Sequence, residues 1–132
     1  MIWNETPSSP VMTRLTYDDL ARRLRAVREE MHMTAAVMAE AIHAGRAAYY
    51  TWEKGSAAAK PNLPNEQAMV NLCELVPGLT MDYLYRGRYE TLDARIRVRL
   101  MAREMGMDPD SVEFDRRTVT VALAEAMAAQ SG

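Results

Sequence analysis

Arginine dominates the charged chemistry of this 132-residue chain: of its 16 basic residues, only Lys54 and Lys60 are lysines. A guanidinium presents its donors in a planar fork suited to bidentate contacts and buried ion pairs, although GC-rich codon usage would produce the same excess. The groups that most often carry catalysis are sparse. There is one cysteine, Cys73, and the histidines are His32 and His43. Cys73 has no internal disulfide partner and reads as a small core residue beside Leu72 and Leu75. The histidines offer no zinc spacing, and His32, between Met31 and Met33, reads as structural. A glycine-rich phosphate loop, a Ser–His–Asp arrangement and paired carboxylates in an apolar setting are all missing from the sequence. The expectation is therefore no enzyme, no metal and no cofactor.

Acidic residues number 18 against those 16 cations, giving a net charge of −2 and a pI near 5.7. A protein that works only by blanketing phosphates should be basic overall, so any nucleic-acid contact here must be local. Hydrophobic residues at 48% and charged residues at 26% suit an ordinary globular chain. The length fits one compact domain, or a small domain with an extension. No apolar run approaches the ~20 residues needed to cross a bilayer, and the first residues do not resemble a signal peptide. A soluble, cytoplasmic protein with no membrane association is expected. Eleven methionines would fill a helical core or form an adaptable protein-contact surface.

These residues need elements to position them, and the patterning is helical throughout. Residues 1–16 hold Pro7 and Pro10 with little periodicity and read as a flexible leader. Asp18-Asp19 precede Leu20, Leu24, Val27 and Met31, which predicts an amphipathic helix with acidic residues at its N-terminal end. Thr34 caps a second helix from Ala35 to Ile42, and His43-Ala44-Gly45 breaks the chain before a third from Arg46 to Lys54, stopped by Gly55. A loop over 55–64 leads to a fourth helix capped by Asn65 and ended by Pro77-Gly78. Thr80 caps a short fifth helix that closes at Gly87. Beyond it, Tyr89 to Met105 carries Leu92, Ile96 and Leu100 at spacing 4. After an acidic connector over Gly106–Asp115, Arg117 to Ala129 puts Val119, Leu123 and Met127 on one stripe.

The run from Leu24-Arg25-Ala26-Val27-Arg28-Glu29-Glu30, through Met33-Thr34 and Met38-Ala39-Glu40, to Tyr49-Tyr50-Thr51-Trp52-Glu53-Lys54-Gly55 resembles the phage repressor/Cro-like (XRE) helix-turn-helix family. The later stretch Leu79-Thr80-Met81-Asp82-Tyr83-Leu84-Tyr85-Arg86-Gly87 is similar to that family's closing signature. The resemblance covers residues 20–88. It implies an all-α protein with a five-helix, lambda-repressor-like helix-turn-helix domain over 17–88 and a C-terminal helical extension over 89–132. It further implies that the third helix lies in the major groove. By position the base-facing residues are then Arg46, Ala47, Tyr50 and Thr51, with Arg46 able to bond guanine O6 and N7 and Ala47 able to meet a thymine methyl. Thr34 and Ala35, at the start of the second helix, would meet phosphates together with Lys54 and Lys60. Arg22 and Arg25 are weaker phosphate candidates. Arg28 and Glu53 fall where the family has an internal ion pair. Three positions depart from its pattern: Ala35 replaces a polar residue, His43 stands at the turn position usually held by glycine, and the surface meant for DNA is rich in alanine.

The extension matches no family. Its two apolar stripes, Leu92–Ile96–Leu100 and Val119–Leu123–Met127, are too little for a core of their own, and burial against a second copy would satisfy them. Docking of another protein on the acidic connector, or packing onto the same monomer, would also do so. The expected function is a dimeric, sequence-specific binder of double-stranded DNA that regulates transcription, most simply as a repressor. The alternative is an antitoxin-like or antirepressor partner that keeps the fold as a protein-interaction module.

Overall fold

The structure, a computed structural model, describes residues 14–111 together with Ala124, Glu125 and Ala128. Among these residues every regular element is helical: α1 (Tyr17–Glu30), α2 (Ala35–Ala41), α3 (Arg46–Lys54), α4 (Glu66–Leu75), α5 (Met81–Arg86) and α6 (Ala94–Glu104), with single 3-10 turns at Gly55–Ala57 and Tyr89–Thr91. No helix among them is long and apolar enough to cross a membrane.

Local chemistry sets most of the boundaries. Thr16, Thr34, Asn65 and Thr80 each accept a backbone N–H from three residues ahead, at 3.0, 3.2, 2.8 and 3.1 Å, and so cap α1, α2, α4 and α5. Asp18 and Asp19 stand in the first turn of α1. Gly55 ends α3 at φ 61°, where a Cβ would come within 2.5 Å of Asp18 Oδ1. Only glycine lets the chain pass this close to the start of α1. The contact is used: Asp18 Oδ1 accepts from the Ser56 backbone N–H at 2.9 Å. His43 takes φ 59° in the α2–α3 turn, and His32 takes φ 55° after α1.

The core is one cluster. Leu20, Leu24 and Val27 of α1 meet Met38 and Ile42 around α2, Tyr49 and Trp52 of α3, Met69 and Leu72 of α4, Tyr83 and Leu84 of α5, and Leu100 of α6. Met31 packs against its edge, half-buried.

Two expectations for the extension need correction. The sixth helix does not begin at Tyr89. The chain makes one 3-10 turn, extends at Leu92 (ψ 151°) and enters α6 only after Asp93, which accepts the Arg95 N–H at 2.8 Å. More consequentially, Leu92 and Leu100, expected on an oligomer seam, are 3% and 1% exposed within the chain's own core, with Ile96 half-buried beside them. Ion pairs seal α6 onto α1. Arg22 Nε donates to Glu104 Oε1 at 3.0 Å, Arg103 Nε donates to Glu30 Oε1 at 3.2 Å, and Arg99 also bonds Glu30. Tyr83 in α5 adds its hydroxyl to Glu104 Oε2 at 2.7 Å. The compact unit therefore runs past residue 88 and includes α6.

The acidic connector folds back on the same arginines, with Asp110 accepting from Arg99 Nη2 at 2.8 Å. The leader up to residue 13 and the expected helix Arg117–Ala129, with Val119, Leu123 and Met127, lie outside the described residues apart from Ala124, Glu125 and Ala128.

Candidate nucleic-acid interface

Three sets of contacts fix α3 in place. Ala39 is fully buried where α2 crosses α3, and a larger side chain there would push the two helices apart. Tyr49 and Trp52 point inward in an edge-on pair with ring centroids 6.0 Å apart, and Trp52 Nε1 donates to Asn62 Oδ1 at 2.8 Å. Arg28 reaches from α1 to Glu53 through Nε at 2.7 Å and Nη2 at 2.9 Å, while its Nη1 donates to the Met33 carbonyl at 3.2 Å. The fork from Glu53 holds the Arg28 guanidinium above its usual pKa, partly offset by burial. The turn before α3 is tied down as well: Asn71 Nδ2 on α4 donates to the Ile42 carbonyl at 2.9 Å.

With that side of α3 anchored, the opposite side faces outward. Arg46, Ala47 and Tyr50 are exposed, and Thr51 is half-buried with its hydroxyl donating to the Ala47 carbonyl at 3.0 Å. Thr51 therefore offers lone pairs outward more readily than a proton. Thr34 is the reverse case. Its oxygen accepts from Val37 N–H as a cap, which leaves its hydroxyl proton available to an acceptor such as phosphate. Ala35 follows it, half-buried. Lys54 and Lys60 are exposed, and among the described residues neither has a carboxylate within ion-pair distance. The weaker phosphate candidates are both engaged: Arg22 bonds Asp19 and Glu104, and Arg25 Nη1 donates to the Glu53 carbonyl at 2.6 Å.

Two features of this face were not anticipated from the sequence. Arg46 Nη2 donates to Glu40 Oε1 across the α2–α3 turn. The hydrogen bond it donates to Glu40 raises the Arg46 pKa although the group is at the surface. Val37 and Tyr50, 48% and 40% exposed, add apolar surface. The Glu40–Arg46 separation of six residues fits no spacing within one helix, so only the turn brings the pair together. Val37, three residues before Glu40 on α2, could have been found as an apolar residue off the buried Met38–Ile42 stripe.

No group of three or more His, Cys, Asp or Glu side chains among the described residues could hold a metal ion. The surface can offer hydrogen-bond donors from Arg46 and Thr34, the exposed positive charges of Lys54 and Lys60, and methyl and aromatic groups from Ala47, Val37 and Tyr50.

No known family matches. Comparisons with family models, with curated proteins and with solved structures find no counterpart for the chain.

Proposed function

We propose that this chain is a cytoplasmic, sequence-specific DNA-binding transcriptional regulator, acting as a dimer, with α2 and α3 as a helix-turn-helix and α3 in the major groove. The observation that carries the proposal is the two-sidedness of α3. Tyr49, Trp52 and the Arg28–Glu53 fork fasten one side to the core, while Arg46, Ala47 and Tyr50 are exposed on the other. A helix that inserts into a groove needs a rigid mount and a projecting face, and α3 has both. Lys54 at its C-terminal end and Lys60 beyond it then supply phosphate contacts, and Thr34 supplies one from the start of α2.

In this account Leu92 and Leu100 are spent on the monomer core, so the dimer contact uses other surfaces. The Val119–Leu123–Met127 stripe remains the candidate. A dimer would present two α3 helices ~34 Å apart to an inverted repeat. Occupancy of such an operator would block polymerase and repress transcription.

A second reading has an observation of its own. Val37 on α2 and Tyr50 on α3 are exposed apolar side chains, and Glu40 adds a negative charge beside Arg46, as a protein-docking surface would. Retention on DNA-cellulose at low salt, followed by a salt gradient, separates the two. The DNA reading predicts retention and elution that shifts to lower salt in Lys54→Ala. A folded protein that flows through would favour the protein-docking module.

A further inference from the structure

We infer that Glu40 is a specificity-determining positioning residue, which orients Arg46 for a guanine in the major groove and keeps that guanidinium off the phosphate backbone. The inference rests on the DNA-binding reading above and names what the site selects.

Arg46 is the first residue of α3, and more than half of its side chain is exposed, as is that of Glu40. A free arginine in such a position samples many rotamers and bonds whichever anion it meets first. On DNA that is a phosphate, which carries no sequence information. Glu40 changes both conditions. Its Oε1 holds Arg46 Nη2 and so confines the side chain to the space in front of the α2–α3 turn. Its negative charge also opposes the approach of a phosphate to the same guanidinium.

The bond leaves Arg46 able to do its proposed work. A guanidinium has five N–H donors, and only one is engaged by Glu40. Two of the remainder suffice for guanine O6 and N7. The couple also displays donors beside acceptors, an order that suits a G·C pair, whose major-groove edge shows the O6 and N7 acceptors beside the cytosine N4 donors. An A·T pair keeps the N7 acceptor but reverses the other two positions: the adenine N6 donor faces the guanidinium and the thymine O4 acceptor faces the carboxylate.

The test is a fluorescence-anisotropy titration of the full chain on three duplexes: its selected site, that site with the Arg46-dependent G·C pair changed to A·T, and an unrelated duplex. Wild type, Glu40→Ala, Glu40→Gln and Arg46→Ala are compared, together with the Glu40→Ala/Arg46→Ala double variant. Wild type should prefer G·C over A·T by about tenfold or more, the usual value of one bidentate contact. Glu40→Ala should lose most of that preference while binding the unrelated duplex more tightly, and its salt slope should steepen by about one as Arg46 takes a phosphate. Glu40→Gln, which keeps an acceptor for Arg46 but not the charge, should keep part of the preference. In the Arg46→Ala background, Glu40→Ala should change the preference no further.

Glu40→Ala with the full G·C preference, or with equal gains on all three duplexes, would overturn the positioning role while leaving DNA binding intact. A folded wild type that binds no duplex would instead overturn the underlying reading, and this inference with it. Both residues are at the surface, so unchanged melting temperatures should accompany every variant.

Discussion

Arg28 and Glu53, 25 residues apart in sequence, meet through a two-pronged bond of 2.7 and 2.9 Å that ties the last turn of α1 to the C-terminal end of α3. Both side chains are largely buried, at 21% and 10% exposure. Removing one partner strands the other in a poorly solvated place. Glu53→Ala should therefore lower the unfolding free energy by roughly 3 kcal/mol, the lower end for breaking a buried pair from one side. Urea denaturation reads this directly, and an unchanged midpoint would show that α3 is held by packing alone.

Leu100 separates the monomer-core account of α6 from the oligomer seam that its sequence suggests. Leu100→Ala leaves a cavity between α1 and α6 and should cost ~2–5 kcal/mol. That loss should be independent of protein concentration. A seam residue would instead leave the monomer stable and shift the association constant, which sedimentation would detect.

His43 carries a side chain at φ 59°, in the left-handed region where a Cβ is unfavourable by about 1–2 kcal/mol. It is exposed. His43→Gly relieves that cost and gives back part of it as chain entropy, so a gain of up to about 1 kcal/mol is expected. Thermal melting of the variant beside wild type checks the sign.

Acid should weaken the fold through carboxylates bound in the native state. The Arg99 hydrogen bond holds the Asp110 carboxyl below its ordinary value of 3.8, and the Ser56 backbone N–H does the same for Asp18. A folded pKa below the unfolded one means the stabilisation is complete above the unfolded value and is lost as pH falls through the folded one. Stability should thus be flat from neutral pH down to about 4 and decline below it. Asp110→Asn should make that decline shallower, as followed by circular dichroism across an acid titration.

The parts legible in the sequence were those set by local chemistry. Thr34, Asn65 and Thr80 as caps, and Gly55 and Gly87 as stops, each act within a few residues, so their types announce them. The start of α6 was hidden because Leu92 falls on the Ile96–Leu100 spacing although its backbone is extended. Periodicity marks which positions are apolar but says nothing of the backbone between them. It is equally silent on what covers an apolar stripe, so α1 of the same chain and a second copy read alike. The face of α3 was placed by resemblance. Its Glu40–Arg46 bond was not anticipated, because it depends on how sharply the intervening turn reverses the chain.

The most direct test of the central claim is an in vitro selection from random duplex DNA with wild type and Arg46→Ala in parallel. The account predicts an enriched inverted repeat for wild type and the same repeat, indifferent at one guanine in each half, for the variant. A folded wild-type protein that enriches no sequence would contradict DNA recognition, and an unchanged motif in the variant would contradict the role given to Arg46.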